Sequence, residues 1–210
     1  MIKTIIFDFD GTLGDSIDAA VSVISTLGPK YGFPKVTKEE IRDNGIRGLI
    51  SKYKVSPIRL PFLVNESRKE LNKIIETIKP INGIEFVLRK LSKIYQIGIL
   101  SSNSEQNLAS FIEKNSLSQY FSFVSSNSSL FGKHISLLKL FKGRKLNRNE
   151  VIYVGDEERD IKAAKKIAIL VVGVLWGYDS KEILRKQHPD FIANQPRDLI
   201  KIMQSINESF

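Results

Sequence analysis

Four apolar runs rich in β-branched residues alternate along the chain with segments of helical periodicity. A continuous apolar run of this length is typical of a strand that is buried on both faces of a sheet. Strands that alternate with amphipathic helices form βαβ units, so the pattern predicts an α/β protein with a mostly parallel sheet. Ligands of such sheets bind beyond the carboxyl ends of the strands. The four runs occupy residues 2–9, 96–101, 151–156 and 168–174, and a shorter run lies at 120–126.

Residues 15–80 interrupt this alternation, because they contain no clear strand pattern. They consist of helix-like segments separated by the stretches "GPKYGFP", "DNG" and "VSP", whose glycine and proline residues are typical of turns. We therefore predict a small helical insert after the first strand. Residues 1–14 and 81–210 would form the α/β core, and residues 15–80 would form the insert.

The composition excludes several classes of protein. The 210 residues include no cysteine, which rules out disulfides, thiolate metal sites and cysteine nucleophiles. No apolar stretch approaches the roughly 20 residues of a membrane span, and the run Thr4–Phe7 meets Asp8 too soon for a signal peptide. We expect a cytoplasmic protein with no membrane partner. The net charge of +9 is spread over helix-like segments without a basic arm or stripe, so we expect no nucleic-acid partner.

Polar residues follow the predicted strands at the points where these strands end. Because parallel strands end at one edge of a sheet, these side chains should converge there. Two aspartates directly after the first strand would repel each other, which suggests that a cation, a proton or a reaction is involved. The candidate residues are Asp8, Asp10, Gly11 and Thr12 after the first strand, Ser101, Ser102 and Asn103 after the second, Lys133 at a helix start, and Asp156, Glu157 and Asp160 after the third main run.

These groups together have the chemistry of phosphoryl transfer. Asp8, Asp156 and a backbone carbonyl offer the hard oxygen ligands that Mg²⁺ prefers. Lys133 is a point charge for a phosphate, and the hydroxyl of Ser101 and the amides near Gly11 and Ser102 can donate to its oxygens. A carboxylate can attack phosphorus once a divalent cation and a lysine reduce the charge repulsion. One aspartate of the Asp8–Asp10 pair would then attack, and its neighbour would handle the proton.

The same residues carry a resemblance to a known family. The stretches "DFDGTLGDS", "GILSSN", "FGKH" and "VGDEERD" resemble, in order, the four motifs of the haloacid dehalogenase superfamily. The tail "PDFIANQPRDL" is similar to the last strand and helix of its phosphoglycolate-phosphatase-like members. The resemblance implies a Rossmann-like core with an all-helical cap inserted after the first motif. Two departures are Gly14, where a larger residue is usual, and Ser101, where threonine is commoner.

The resemblance also implies a role for each motif residue. Asp8 would be the nucleophile and Asp10 the general acid and base, since a phosphate ester has an alkoxide leaving group that needs a proton. Dehalogenases that displace halide lack this second aspartate, so Asp10 favours phosphate-ester cleavage. Ser101 and Lys133 would hold the phosphoryl group. The metal ligands would be Asp8, the Asp10 carbonyl and Asp156, supported by a second layer of residues comprising Thr12, Asn103, Glu157 and Asp160.

The leading hypothesis is therefore a Mg²⁺-dependent phosphatase that hydrolyses a small phosphorylated metabolite through an aspartyl-phosphate. A phosphosugar mutase of the same superfamily is the first alternative, and a cap that excludes water would distinguish it. A non-catalytic binding protein or a signalling receiver with a phospho-acceptor aspartate is the second. Receivers carry the acidic pair and the acceptor on different strands and have no helical insert.

Overall fold

A parallel six-stranded sheet forms the centre of the protein. The structure is a computed structural model, and it describes residues 1–126 and 132–208. Its strands are β1 (Thr4–Phe7), β4 (Gln96–Ser101), β5 (Phe123–Ser126), β6 (Val151–Gly155), β7 (Leu170–Val174) and β8 (Phe191–Ala193). The strand order is β5-β4-β1-β6-β7-β8, and all neighbouring pairs are parallel. This confirms the predicted α/β class.

Helices cover both faces of the sheet, which explains the continuous apolar runs. Alternate side chains of a strand point to opposite faces, and in β1 Ile5 and Phe7 join one buried cluster while Ile6 joins another. The first cluster includes residues of α4 (Ile84–Leu91), α5 (Glu105–Lys114) and α9 (Asp198–Glu208). The second includes residues of α6 (Lys133–Arg144), α7 (Glu158–Lys166) and α8 (Lys181–Lys186).

Three helices make up most of residues 15–80. They are α1 (Ile17–Tyr31), α2 (Lys38–Lys52) and α3 (Leu60–Ile74), and they share a separate buried cluster that includes Val23, Leu27, Ile41 and Leu49. Among the helices in the described ranges, none is long and apolar enough to cross a membrane.

A two-residue antiparallel ladder joins the two ends of this helical segment. Strand β2 (Gly14–Asp15) pairs with β3 (Lys79–Pro80), so that Gly14 is opposite Pro80 and Asp15 is opposite Lys79. The segment is thus not wholly helical. The predicted boundary at 14/15 falls within β2, and the boundary at 80/81 falls at the end of β3. Strands this short have no apolar alternation that a sequence pattern could reveal. The division into a core and a cap stays a prediction.

Candidate active site

Asp8 lies directly beyond the carboxyl end of β1, where it is almost completely buried. Its amide donates to the Val154 carbonyl at 2.8 Å, which extends the β1–β6 pairing by one residue. Its Oδ2 lies 2.5 Å from Lys133 Nζ, and its Oδ1 accepts from the Phe9 amide at 2.8 Å. Burial raises the pKa of Asp8 to about 7, although Lys133 lowers it. A buried carboxylate held by one ammonium is thus placed at the sheet edge where ligands bind.

Lys133 is the first residue of α6 and joins two carboxylates. Its buried ammonium contacts Asp8 and also Asp160, whose Oδ2 accepts from the Glu157 amide at 3.0 Å. Burial opposes the charge, but Asp160 and Asp8 together raise the pKa of Lys133 above its ordinary range. The lysine predicted to bind phosphate is therefore a permanent cation next to the candidate nucleophile. Phe131, part of the quoted "FGKH" motif, lies outside the described residues.

Asp156 follows β6 and has a donor on each carboxylate oxygen. Thr12 Oγ1 donates to Oδ1 at 2.5 Å, and the Tyr178 amide donates to Oδ2 at 2.8 Å. Burial and the neighbouring acids Glu157, Asp160 and Asp8 raise its pKa well above the ordinary range. Such crowding of carboxylates favours either a proton or a cation among them.

Gly11 gives the turn after β1 the space that Asp156 needs. Its φ of +74° lies in the left-handed region, and an added Cβ would be 2.2 Å from Asp156 Oδ2 and 2.4 Å from Tyr178 Cδ2. Any other residue would be strained and would displace this carboxylate. The Gly11 amide, predicted to lie near a phosphate, donates to the Gly14 carbonyl at 2.9 Å. Gly11 therefore contributes to the site by leaving room for the Asp156 carboxylate.

Asp10 is only partly buried and is held by Asn103. Asn103 Nδ2 donates to Asp10 Oδ2 at 3.3 Å. Burial raises the pKa of Asp10, although hydrogen bonds from Ser16 and Asn103 lower it. A carboxyl group with a raised pKa is more often protonated near neutral pH, which suits a group that must give up a proton.

The loop after β4 brings Ser101 and Asn103 to the same edge. Both residues are buried, and Ser101 Oγ accepts from the Asn103 amide at 3.0 Å. Asn103 Oδ1 accepts from the Ser104 amide and from Asn107 Nδ2, which fixes the orientation of its side chain toward Asp10. Ser102 is partly exposed, and its carbonyl accepts from Arg68 of α3 at 3.5 Å. The predicted residues of this loop therefore lie together near Asp10.

A buried ion pair at the site was not foreseen from the sequence. Arg159 donates through Nε to Glu157 Oε1 at 2.8 Å and through Nη2 to the same oxygen, and both side chains are only 9% exposed. The guanidinium lowers the pKa of Asp8 and of Asp10. Glu157, which is predicted to support a metal, pairs with this arginine. The sequence does show an arginine between two acids in "GDEERD". Such a pattern alone does not predict a buried ion pair.

The loop after β7 also reaches the site, through Tyr178 and Asp179. Tyr178 Oη lies 3.0 Å from Ser16 Oγ and donates to the Ser16 carbonyl at 3.1 Å. Asp179 Oδ2 accepts from the Glu158 amide at 2.6 Å, and its amide donates to the Asp156 carbonyl at 3.3 Å. These contacts join the carboxylate cluster to the start of α1. Neither residue belongs to a recognised motif, so sequence reasoning missed both.

A metal ion would fit among three of the buried aspartates. Within the described residues, oxygens of Asp8, Asp156 and Asp160 lie within 4.8 Å of one another. Glu157 lies close enough to this cluster to raise the pKa of Asp156. The cations Lys133 and Arg159 pair with Asp8, Asp160 and Glu157. A divalent cation would offset much of the remaining negative charge, and oxygen donors are what such hard cations take. Two members of this cluster, Asp8 and Asp156, are predicted metal ligands, and the third, Asp160, is a residue that the family resemblance placed in the second layer.

The comparison with known families agrees with this geometry. Residues 5–174 match the sequence model of the haloacid dehalogenase-like hydrolases. The chain belongs to this family. The matched range begins in β1 and ends with β7, so it includes all the residues of the four motifs, whereas Tyr178 and Asp179 follow it. The family resemblance inferred from the four motifs is confirmed.

Curated relatives cover nearly the whole chain. A phosphoglycolate phosphatase from Synechococcus elongatus is 29% identical over 98% of this chain and 99% of its own length. A phosphoglycolate phosphatase from Aquifex aeolicus is 28% identical over 97% of this chain and 98% of its own. The resemblance therefore includes the helical segment as well as the core.

Solved structures of the family share the fold. A haloacid dehalogenase-like hydrolase from Streptococcus pneumoniae superposes with a TM-score of 0.81, at 20% identity, over 96% of this chain and 98% of that one. A haloacid dehalogenase-like protein of unknown function from Agrobacterium tumefaciens gives 0.78, at 23% identity, over 99% and 100%. At these identities the likeness concerns the fold alone, and it confirms the predicted Rossmann-like architecture.

Proposed function

We propose that this protein is a Mg²⁺-dependent phosphomonoester hydrolase that acts on a small phosphorylated metabolite through an aspartyl-phosphate on Asp8. Membership of the hydrolase family and the curated phosphatase relatives confirm the prediction of a phosphatase. The Mg²⁺ ion, the aspartyl-phosphate intermediate and the roles of the individual residues are our proposal.

The contact between Asp8 and Lys133 at the sheet edge is the observation that carries the proposal. The Lys133 ammonium lies 2.5 Å from Asp8 Oδ2. A phosphate that approached Asp8 would meet the same ammonium. An anionic nucleophile and an anionic substrate repel each other, and an ammonium shared by both reduces this repulsion. Asp8 is therefore the nucleophile in our proposal, and Lys133 orients it and then stabilises the transferred group.

Asp10 would act on the proton. Its raised pKa and its hydrogen bond from Asn103 support a carboxyl group that is available as an acid and kept in one orientation. In the first step the Asp8 carboxylate forms a bond to phosphorus, the ester P–O bond breaks, and Asp10 gives its proton to the leaving oxygen. In the second step Asp10 takes a proton from water, which attacks the phosphorus of the aspartyl-phosphate and releases Asp8.

The buried aspartates supply the proposed magnesium site. Asp8, Asp156 and Asp160 would hold the ion, with the Asp10 carbonyl as the further ligand that the family resemblance implies. A bound divalent cation polarises phosphoryl oxygens and neutralises developing charge. Thr12 and the Tyr178 amide keep Asp156 in place. Ser101, and the amide of Ser102, are proposed to donate to the phosphoryl oxygens.

The helical segment of residues 15–80 is proposed to be a cap over the site. Tyr178 contacts Ser16, and Arg68 of α3 reaches the Ser102 carbonyl, which supports a position over the strand ends. The curated relatives are named for phosphoglycolate, which supports a small phosphorylated substrate. Location in the cytoplasm remains a prediction.

A screen of phosphorylated metabolites in Mg²⁺ and in EDTA tests the proposal. We expect release of inorganic phosphate in Mg²⁺ and its loss in chelator. Acid quenching with ³²P-labelled substrate should trap label on the wild-type protein and not on Asp8→Asn. Full turnover in excess chelator would refute the metal, and label retained on Asp8→Asn would refute the nucleophile.

A further inference from the structure

A cavity of about 190 Å³ opens from the catalytic edge into the three helices of the insert. At one end it is bounded by polar residues of the site, among them Asp10, Asn103 and Arg159. The rest of its wall is predominantly aliphatic and is contributed by all three helices α1, α2 and α3. Representative wall residues are Val23, Ile24, Ile46, Ile50, Leu63 and Val64.

The apolar residues that helix α3 contributes to this wall are less buried than residues of a closed hydrophobic core. Its 15 residues include apolar side chains at one face, yet none of them is fully buried. Leu63 and Val64 are only half-buried, and both border the cavity. An amphipathic helix normally buries its apolar face against its neighbours. An apolar group inside the cavity would complete that burial and would restore the contacts that the wall now lacks.

The position of Asp10 connects this cavity to the proposed reaction, on which the inference rests. If Asp8 takes the phosphoryl group and Asp10 protonates the leaving oxygen, the carbon skeleton of the alcohol must extend away from Asp10. Asp10 forms the polar end of the cavity. The alcohol part of the substrate would therefore enter the aliphatic region.

Three arginines also line the cavity. Their positions indicate whether the cavity could bind a second anionic group of the substrate besides its phosphate. Arg159 gives two of its donors to Glu157. Arg68 donates to the Ser102 carbonyl, and burial lowers its pKa. Arg47 is largely exposed. Because Glu157 and Ser102 belong to the strand-end loops, Arg159 and Arg68 lie at the phosphoryl end, and the aliphatic depth beyond them suits an uncharged group.

We infer that the substrate is a phosphate monoester whose alcohol part is an uncharged apolar chain longer than two carbons. This differs from a glycolate, whose two-carbon skeleton carries a carboxylate. The cavity would exclude water from the chain, and Asp10 would remain in contact with the ester oxygen.

The inference can be tested directly with a series of alkyl phosphates of increasing chain length. Ethyl, butyl and hexyl phosphate have leaving groups of similar basicity, so differences in kcat/KM report on binding of the chain. Each buried methylene should raise kcat/KM about fourfold, which makes hexyl phosphate better than ethyl phosphate by roughly two orders of magnitude. Phosphoglycolate, measured under the same conditions in Mg²⁺, should be a poorer substrate than butyl phosphate.

A cavity-filling variant with a matched control localises the effect. Val64→Phe places a ring in the cavity and should lower the ratio of hexyl to ethyl kcat/KM at least tenfold. Ile58→Phe adds similar bulk in the same helical segment, but Ile58 is 81% exposed and lies outside the cavity lining. This control should keep both the activity and the chain-length ratio of the wild type.

The outcomes separate this inference from the proposed function. Turnover of phosphoglycolate with a flat or falling chain-length series would overturn the apolar substrate and leave the phosphatase in place. A rising series that Val64→Phe does not change would show that the chain binds elsewhere. Failure to hydrolyse any phosphate ester in Mg²⁺ would remove the proposed function and the inference together.

Discussion

Lys133 Nζ lies 2.5 Å from Asp8 Oδ2, and both side chains are almost fully buried. The same ammonium contacts Asp160. One cation thus separates two carboxylates that would otherwise repel each other in a poorly solvated place. We therefore expect Lys133 to be important for stability as well as for chemistry.

Replacing Lys133 should lower the stability of the protein in a pH-dependent way. In metal-free Lys133→Met, Asp8 and Asp160 lose their shared partner, so the free energy of unfolding at pH 8 should fall by about 3–5 kcal/mol. At pH 5 the loss should be smaller. Lys133 lowers the pKa of Asp8, so its removal leaves Asp8 more readily protonated and neutral. Urea unfolding at both pH values measures the difference.

The exposed Lys139 of the same helix provides the control. Lys139→Met should unfold like the wild type at both pH values. Equal stability of Lys133→Met and the wild type at pH 8 would mean that the buried pair has no energetic importance.

Substituting the candidate nucleophile should abolish turnover without unfolding the protein. Asp8→Asn keeps the size of the side chain, but an amide is a poor nucleophile toward phosphorus. We expect no measurable release of phosphate, while circular dichroism and the unfolding transition remain those of a folded protein. Asp43→Asn, at an exposed position of α2, is the matched control and should keep full activity. Hydrolysis by a folded Asp8→Asn protein at the wild-type rate would show that another group attacks.

Magnesium should stabilise the folded protein against unfolding even without substrate. The cluster of Asp8, Asp156 and Asp160 exists only in the folded state, and a ligand at 100 times its Kd adds about 2.7 kcal/mol. The unfolding midpoint in MgCl₂ should therefore exceed that in EDTA with NaCl at equal ionic strength. Asp156→Asn should lose most of this increase. A midpoint that is independent of Mg²⁺ in the wild type would argue against the metal site.

The strands and their polar ends were predictable from the sequence because their determinants are local. The run 96–101 corresponds to β4 residue for residue, and 151–156 differs from β6 only at Asp156. A parallel sheet brings strand ends together, so the convergence of Asp8, Ser101 and Asp156 follows from the alternation alone. The family motifs then added roles that the pattern itself did not contain.

The rest of the site depends on contacts between distant parts of the chain. Tyr178 and Ser16 are 162 residues apart, and Tyr178 meets Asp156 only after the turn that follows β7. The ion pair of Arg159 with Glu157 is local, but its burial is a property of the folded site. The ladder of β2 and β3 has two residues on each side, which is too few for a periodic signal.

Asp10 should matter most when the leaving group is poor. General acid catalysis contributes roughly 10²- to 10⁴-fold, and an aryl phosphate needs less of it than an alkyl phosphate because its oxygen is more acidic. Asp10→Ala should therefore slow phosphorylation of Asp8 strongly with an alkyl ester and weakly with an aryl ester. Hydrolysis of the aspartyl-phosphate should slow equally for both, since the same water attacks. Single-turnover kinetics separate the two steps. An equal slowing of phosphorylation with both esters would exclude Asp10 as the leaving-group acid.

Asp179 should make the metal-free protein less stable as the pH rises toward neutrality. The residue is only 5% exposed, and burial together with Glu157 raises its pKa from 3.8 to about 7. Its Oδ2 accepts from the Glu158 amide, but Oδ1 has no hydrogen-bond partner among the described residues and faces Gly45 of α2. Between pH 4 and 7 the folded protein keeps a proton that the unfolded chain has released. Stability contributed by the neutral form is therefore present at low pH and is lost as the pH rises through about 7.

The variant Asp179→Asn removes this ionisation and keeps an oxygen that can accept from Glu158. Relative to the wild type, it should gain about 2–4 kcal/mol of unfolding free energy on going from pH 4 to pH 8. Urea unfolding in EDTA across this range gives the two curves, and ionisations common to both proteins cancel in their difference. The control Asp43→Asn should follow the wild-type curve. Parallel curves for Asp179→Asn and the wild type would show that folding does not raise the pKa of Asp179.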